Sequence, residues 1–132
     1  MFLPDTNILI KYIDGEEPFK KLLSKWVMEK ELEISVITVA EFIAGATNSE
    51  EMKLELILSE ISPLSIDLEI AKTAAQYRID FRIKTKRVYL IDCLIAATAK
   101  AHDLTLVTLD KSDYPMKDIK ILDEKGLKLL KT

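Results

Sequence analysis

Four acidic residues of this chain end or interrupt strongly apolar segments, where a carboxylate is costly unless a cation meets it. They are Asp5, Glu41, Asp92 and Asp110. Asp5 and Asp110 each follow a predicted strand. Glu41 lies one helical turn past the end of another predicted strand, and Asp92 stands in an otherwise apolar predicted helix. Two carboxylates about 4 Å apart repel by roughly 4 kcal/mol at an effective dielectric near 20. Four that converge would therefore require protonation or a cation.

The cation that suits such a group is a hard divalent metal ion. The chain has one Cys and one His, which excludes the usual sulfur and nitrogen zinc site and leaves oxygen ligands. Mg²⁺ or Mn²⁺ fits, because these ions keep some waters and accept phosphate oxygens of a substrate. A bound ion can generate hydroxide and stabilise charge on a transferring phosphoryl group. Metal-assisted hydrolysis is the leading functional hypothesis.

Each acid also has a purely structural interpretation, and the residues alone leave these alternatives open. Asp5 could cap the helix that follows it. Glu41 could return to the backbone of Thr38 in a capping box. Asp92 could cap the buried helix, and Asp110 could belong to an ordinary turn.

The hydrophobic pattern predicts strands that alternate with helices. Such alternation favours an α/β fold with helices packed on a parallel sheet, in which ligands bind beyond the carboxyl ends of the strands. We expect one domain over residues 1–132. The predicted strands are 1–4, 34–37, 63–66, 104–107 and 119–122, and the predicted helices are 8–13, 19–27, 38–46, 50–61, 67–81, 90–101 and 123–130.

The composition is that of a globular protein and does not indicate which substrate it takes. Hydrophobic residues make up 48% of the 132 positions, and no apolar run approaches the ~20 residues of a membrane span. We expect a soluble, cytoplasmic protein. Cys93 is expected to be a buried small hydrophobe, and His102 is not expected to act as a catalytic base.

Basic residues crowd one short stretch, although the net charge of the chain is −3. They form either a solvated helix face or a contact for phosphate or an acidic partner. The residues are Arg78, Arg82, Lys84, Lys86 and Arg87.

Three segments, the last of which joins two motifs, together resemble the four motifs of the PIN domain family and, within it, of the VapC-type toxins. They are DTN at 5–7, SVITVAEFIAG at 35–45 and IDCLIAATAKAHDLTLVTLDKSDYP at 91–115. The resemblance implies a three-layer PIN-like sandwich whose parallel sheet has four or five strands in the order 3-2-1-4-5. It also implies an endoribonuclease that uses Mg²⁺ or Mn²⁺ to cleave RNA phosphodiester bonds.

The resemblance also assigns roles to residues. Asp5 and Asp92 would be the main metal ligands, supported by Glu41 and Asp110, with Asp113 able to replace Asp110. Further side chains would shape the site through hydrogen bonds. These are Thr6, Asn7 and Thr108.

Partners follow from the same resemblance. A VapC-type protein implies a cognate VapB-type antitoxin and a homodimer, for which Met52, Leu56 and Ile57 are a candidate contact. The alternative function is a PIN-fold protein with little nuclease activity that acts mainly by binding RNA or protein.

Overall fold

A computed structural model describes residues 1–82 and 88–130 of the chain. Within these residues, six helices follow one another between the first and second strands, so the regular alternation predicted from the sequence is not observed. A short 3₁₀ turn at Lys111–Asp113 follows the second strand. The elements are β1 (Phe2–Pro4), α1 (Thr6–Ile13), α2 (Phe19–Met28), α3 (Val36–Gly45), α4 (Asn48–Leu58), α5 (Leu68–Phe81), α6 (Leu90–Ala101), β2 (Thr105–Val107), β3 (Lys120–Leu122) and α7 (Glu124–Leu130).

The three strands form a parallel sheet in the order β1-β2-β3. In its centre, Leu3 of β1 pairs with Leu106 of β2, and Leu106 pairs with Ile121 of β3. All three strands point the same way, so their carboxyl ends share one edge of the sheet. That edge holds Asp5 immediately after β1 and Thr108 immediately after β2.

The prediction of four or five strands is wrong for the described residues, whose sheet has three. The predicted strands at 34–37 and 63–66 form no ladder. Two isolated parallel bridges occur instead, one from Phe2 to Leu32 and one from Ser35 to Leu64.

Local capping explains why these segments stay so short. Ser35 accepts a hydrogen bond from Ile37 N at 3.1 Å and is the N-cap of α3, so the helix begins directly after the bridge. Pro63 has no N–H to donate to a ladder. The helix predicted to start at Thr38 therefore starts at Val36.

Helices cover both faces of the sheet. Leu106 packs into a core with residues of α5 and α6, whereas its neighbour Val107 packs into a second core with residues of α1 and α2. Successive strand residues point to opposite faces, so each strand contributes to both cores. A parallel sheet flanked by helices confirms the predicted α/β class.

Helix α6 is buried on most of its surface, as its apolar sequence predicts. Cys93 and Ala96 are fully buried, and burial raises the pKa of the Cys93 thiol to about 11. Cys93 is thus a packing residue at neutral pH, as predicted. Trp26 is also in the core, where its ring stacks on Phe2 with centroids 3.9 Å apart. Across 1–82 and 88–130, no helix combines the length and the apolar character required to cross a membrane.

Candidate acidic active site

A cavity of 180 Å³ opens at the carboxyl edge of the sheet, and acidic side chains dominate its lining. Two helices begin there. Asp5 is the N-cap of α1, and Asp92 lies in the first turn of α6. The cavity is lined by Asp5, Thr6, Asn7, Glu41, Asp92, Ile95, Asp113 and Tyr114.

Asp5 is the cap of α1, as its structural interpretation predicts, and it also lines the cavity. Its Oδ1 accepts a hydrogen bond from Ile8 N at 3.1 Å, which caps α1. Its Oδ2 accepts from Thr108 Oγ1 at 2.6 Å. Because both oxygens are held, the carboxylate of this 7%-exposed residue has a fixed orientation toward the cavity.

Thr108 links the ends of the first two strands of the sheet. Its hydroxyl donates to Asp5 and also accepts from Asp110 N at 3.0 Å. The side chain is fully buried. These two bonds hold Thr108 between Asp5 and Asp110, and its predicted role in shaping an active site stays a prediction.

Glu41 is not part of a capping box, because Ser35 and not Thr38 caps α3. Its Oε1 accepts a hydrogen bond from Thr6 Oγ1 at 2.6 Å, which joins α1 to α3. Thr6 is therefore a residue that positions Glu41. Asn7 lines the same cavity, next to Thr6 in the first turn of α1, and its predicted hydrogen-bonding role stays a prediction.

Asp92 is not the cap of α6. Tyr89 occupies the N-cap position, and Asp92 stands three residues later in the first turn. Burial, followed by the charges of Asp113 and Glu41, raises the pKa of Asp92 to about 6. The helix N-terminus favours a negative charge here, but burial and the neighbouring carboxylates outweigh it.

Effects of opposite direction also act on the pKa of Asp5. Burial is the largest influence and raises the pKa of Asp5, while the bonds from Thr108 and Ile8 act in the opposite direction. The charges of Asp113 and Glu41 raise it further. The cavity therefore gathers negative charge at a cost that a bound cation would relieve.

The structure separates the two candidates for the fourth acid. Asp113, in the 3₁₀ turn, lines the cavity, whereas Asp110, which directly precedes that turn, does not. Ser112 Oγ donates to Asp110 Oδ1 at 2.5 Å. Asp110 thus forms part of a hydrogen-bonded turn, and its predicted place in the acidic group stays a prediction.

Two cavity residues were not predicted from the sequence. Ile95 lies one turn beyond Asp92 on α6, so an i, i+3 spacing could have indicated it. Tyr114 follows Asp113 directly and is 3% exposed. Burial and then the charge of Asp5 raise the pKa of Tyr114, so its phenol stays protonated at neutral pH.

The basic residues predicted to contact RNA or an antitoxin lie only in part within the described residues. Arg78 is half-buried on α5, and Arg82 is exposed where α5 ends. The other predicted contacts, Lys86 and Arg87, lie outside the described residues, as does the neighbouring Lys84. His102 is the C-cap of α6, exposed and at the far end of that helix from Asp92, and the expectation that it is not a catalytic base stays a prediction.

The donor set of the cavity fits a hard cation, with one restriction. Its acids offer only oxygen, which suits Mg²⁺ or Mn²⁺. In residues 1–82 and 88–130, however, no three Asp, Glu, His or Cys side chains are grouped closely enough to hold an ion by themselves. Mg²⁺ is commonly held by one or two carboxylates and completed by water and substrate oxygens. The cavity fits that arrangement and not an all-protein cage.

A larger groove of 600 Å³ lies between α2 and α7 but carries different chemistry. Leu22, Leu127 and Leu130 contribute to its lining, together with Lys21 and Lys25. None of the acids discussed above borders it. The acidic cavity is therefore the candidate site, although it is smaller.

A parallel sheet flanked by helices, with acidic side chains at its carboxyl edge, defines a class of α/β proteins that place a site beyond the ends of their strands. The chain belongs to the PIN domain family, whose profile matches residues 2–120. It is 32% identical to Ribonuclease VapC10 of Mycobacterium tuberculosis (strain ATCC 25618 / H37Rv) over 116 residues, which are 88% of this chain and 87% of that protein. The resemblance to VapC-type proteins predicted from the motifs is confirmed.

Two further similarities agree with this placement. Toxin FitB of Neisseria gonorrhoeae (strain ATCC 700825 / FA 1090) is 30% identical over 137 residues, covering 93% of this chain and 97% of that protein. The crystal structure of DNA-bound VapBC from Salmonella typhimurium contains a chain that matches with a TM-score of 0.75 and 26% identity. That match covers 92% of this chain and 96% of the other.

Proposed function

We propose that this protein is a metal-dependent endoribonuclease and the toxin of a VapBC-type toxin–antitoxin pair. The observation that carries the proposal is the cavity in which Asp5, Glu41, Asp92 and Asp113 meet at the carboxyl edge of the sheet. The relatives named VapC10 and FitB are a ribonuclease and a toxin. Their names support the same activity for this chain.

The substrate phosphate would meet two helix N-termini. The amino ends of α1 and α6 both lie at the cavity, at Asp5 and Asp92. Helix N-termini carry partial positive charge and attract phosphate groups. This feature favours a phosphodiester over an uncharged substrate.

Asp5 and Asp92 would hold an Mg²⁺ or Mn²⁺ ion, with Glu41 completing the acidic wall. Such an ion, when bound, supplies Lewis-acid stabilisation of charge on the phosphate. Thr108 fixes the Asp5 carboxylate, and Thr6 fixes that of Glu41, each through a bond of 2.6 Å. These two hydroxyls preorganise the acids before substrate arrives, which lowers the cost of assembling the site.

The fourth acid is proposed to be Asp113 on geometric grounds, because it lines the cavity. Its charge is the first among the neighbouring acids in raising the pKa of Asp92, ahead of Glu41 and Asp5, with Asp110 last. Asp110 would act through the turn that presents Asp113. The two residues can be distinguished by separate substitution.

We propose that the two bridged segments lie beside the three-stranded sheet in the family order 3-2-1-4-5, as extended segments and not as further strands. The Leu32 bridge places a neighbour on the free side of β1, and the Leu64 bridge places a further segment beside Ser35. Both bridges are parallel. This order would keep Asp5 next to the centre of the sheet, where β1 would lie.

A cognate VapB-type antitoxin is the proposed protein partner, and a homodimer the proposed assembly. The neighbouring structure from Salmonella typhimurium is a VapBC complex. A cytoplasmic location is proposed along with this function. On α4, Met52 and Leu56 are 70% and 72% exposed, whereas Ile57 is half-buried against the third core. Met52 and Leu56 would therefore provide most of the surface of a dimer contact, and Ile57 a smaller part.

The alternative is a PIN-fold protein that binds RNA or protein without efficient cleavage. One observation favours it: the described acids do not form a three-ligand group. Substitution of Asp92 by Asn separates the two functions. A binding protein would keep its partner affinity in the variant, whereas an enzyme would keep its fold and lose its effect.

The decisive test is cleavage of single-stranded RNA with and without Mn²⁺ by the wild type and by Asp92→Asn. Cleavage that requires metal, disappears in the folded variant and leaves 5′-phosphate and 3′-hydroxyl ends would support the proposal. Products with 2′,3′-cyclic phosphate would contradict it, since they form by attack of the 2′-hydroxyl of the substrate. Circular dichroism of both proteins controls for folding.

A further inference from the structure

Thr38 on α3 carries a buried hydroxyl that has no hydrogen-bond partner among the residues that the structure describes. Its side chain is fully buried. An unpaired buried hydroxyl lowers stability, and valine has nearly the same shape without it. Because folded proteins pair nearly all of their buried polar groups, an exception of this kind requires a physical explanation.

A second buried threonine shows which bond Thr38 lacks. Thr98 on α6 is also fully buried, and its hydroxyl donates to Leu94 O at 2.8 Å, four residues earlier in the same helix. The corresponding carbonyl for Thr38 belongs to Ile34, which precedes α3 and accepts from Leu64 N at 2.8 Å. The bond that a helical threonine commonly makes to its own backbone is therefore not made at Thr38.

Thr38 lies directly behind the acidic cavity. Glu41 is one turn further along α3, and residues at i and i+3 are neighbours on a helix surface. The lining of the cavity includes Glu41 but not Thr38, which is buried behind that wall. Helices α1 and α6, whose amino ends border the cavity, both pack against α3. The hydroxyl is thus next to the acidic site and shielded from water.

The Glu41 carboxylate can accept a second hydrogen bond. Thr6 Oγ1 donates to its Oε1 at 2.6 Å. Both oxygens of a carboxylate are acceptors, so Oε2 offers a further position to a donor. Carboxylates that face a metal ion are in turn hydrogen-bonded by neighbouring groups, which fix their orientation.

We propose that Thr38 is a positioning residue of the acidic site, whose hydroxyl donates to the Glu41 carboxylate when a divalent ion occupies the cavity. The inference rests on the proposed function and deepens it by naming a residue that supports the metal-loaded site. A bond formed only on ion binding adds to the affinity for the ion, because it recovers the cost of the unpaired hydroxyl.

The competing interpretation is a threonine that only fills space. Its neighbours Ile37 and Val39 pack against two different cores, so Thr38 lies where these cores meet. A space-filling residue would be replaced by valine without loss in any measurement. The two roles therefore differ in what Thr38→Val does to metal binding.

Calorimetric titration of Mn²⁺ into the metal-depleted protein measures this effect without RNA or cleavage. Thr38→Val should weaken Mn²⁺ binding about tenfold, a typical result of losing a hydrogen bond to a metal-facing carboxylate. In EDTA, the same variant should melt at the temperature of the wild type or higher, because it buries no unpaired hydroxyl. Affinity and stability should thus change independently.

Thr38→Ser is the conservative variant, because it keeps the hydroxyl and loses a methyl group. It should retain the Mn²⁺ affinity of the wild type and melt at a lower temperature in EDTA, since it leaves a small void in the core. Thr98→Val is the matched control at a buried threonine whose hydroxyl is already paired. It should leave Mn²⁺ affinity unchanged, and circular dichroism in EDTA checks the folding of each variant.

A double-mutant cycle with Glu41→Ala tests whether Thr38 acts through Glu41. Once the carboxylate is removed, Thr38→Val should change Mn²⁺ affinity less than about twofold, because the two side chains act as one unit. A tenfold effect that persists in the Glu41→Ala background would place the partner of Thr38 elsewhere and overturn its assignment to Glu41.

The outcomes separate this inference from the proposed function. Equal Mn²⁺ affinity of the wild type and Thr38→Val would overturn the role of Thr38 and leave the nuclease intact. Equal loss of affinity in Thr38→Val and Thr38→Ser would assign the effect to packing and overturn the role as well. Weaker Mn²⁺ binding by Thr38→Val alone, in a protein that cleaves no RNA, would support the role and refute the nuclease. A wild type that binds no Mn²⁺ would overturn both the role and the metal dependence.

Discussion

Thr108 donates a hydrogen bond of 2.6 Å to the carboxylate of Asp5 although 103 positions separate the two residues. The bond joins the residues that follow β1 and β2, so it locks the carboxyl edge of the sheet where the acidic cavity opens. Thr108→Val should lower the free energy of unfolding by about 1–3 kcal/mol, because it leaves a buried carboxylate oxygen without its donor. Urea denaturation at pH 7 measures this loss.

The matched controls for that change are Thr108→Ser and Thr105→Val. The serine variant keeps the hydroxyl and should recover most of the stability. Thr105 lies on β2, three residues before Thr108, and is half-buried, so its change should stay within about 0.5 kcal/mol of the wild type. An equal loss in both valine variants would attribute the effect to the strand and not to the bond with Asp5.

The stability of the metal-free protein should depend on pH through Asp92. Its carboxyl has a pKa of about 6 in the folded state against an ordinary value of 3.8. The folded protein therefore binds more protons between these values, and stability falls as the pH rises through this window. Solvent screens a half-exposed carboxyl, so we expect the fall to be about 1 kcal/mol and not the full buried-group effect.

Asp92→Asn isolates this contribution. Unfolding of both proteins in EDTA should show that the wild type loses stability relative to the variant between about pH 4 and pH 6. Above about pH 7 the two curves should run parallel. A constant difference across the whole range would show that burial does not penalise the Asp92 charge.

Divalent metal should stabilise the wild type and not Asp92→Asn. Binding to the folded state alone contributes about 2.7 kcal/mol when the free ion is present at about 100 times its Kd. Melting curves with increasing Mn²⁺ or Mg²⁺ measure the shift, and Glu41→Gln should reduce it in part. Asp103→Asn is the control, because Asp103 is an exposed acid near the amino edge of the sheet, paired with Lys120 at 3.1 Å. Loss of the metal response in this control would point to a binding site elsewhere.

Asp113→Asn should reduce RNA cleavage more than Asp110→Asn. Asp113 lines the cavity, whereas Asp110 is bonded to Ser112 within the turn. We expect a loss of at least about tenfold for Asp113 and a smaller one for Asp110, measured as kcat/KM on one RNA substrate. The reverse order would support the assignment of Asp110 that the sequence favours.

A double change of Met52 and Leu56 to Glu should convert a dimer to a monomer. The two side chains lie four residues apart on α4 and are largely exposed. Size-exclusion chromatography with light scattering at several concentrations measures the mass. Met28→Glu, at an 85%-exposed position on α2, should leave the assembly unchanged. A wild type that is monomeric at high concentration would refute the dimer outright.

Local patterns in the sequence suffice to predict most helices and the three strands of the sheet. Helix α6 is apolar nearly all round, and helix α5 begins where Asp67 caps it through Ile70 N at 2.8 Å. Both follow from periodicity and side-chain capping, which act within a few residues. The sequence of Thr47 and Glu50 also encodes a capping box for α4 that was not predicted.

The strands at 34–37 and 63–66 were predicted incorrectly because two local preferences compete there. Apolar β-branched residues favour an extended chain, but Ser35 caps a helix that begins at Val36. A single bridge to Leu64 is all that the remaining extended residues can form. Hydrophobicity alone does not reveal which preference prevails.

The sequence by itself determined the family and the candidate acids, through motifs that match a PIN domain and through the places of the acids after apolar segments. The tertiary structure decided which side chains the acids contact. In it, Thr6 donates a hydrogen bond to Glu41 across 35 positions, and Asp113, not Asp110, lies in the cavity lining. The physical reason is that residue types and short-range periodicity lie along the chain, whereas these contacts depend on how α1, α3 and the turn after β2 pack at one edge of the sheet.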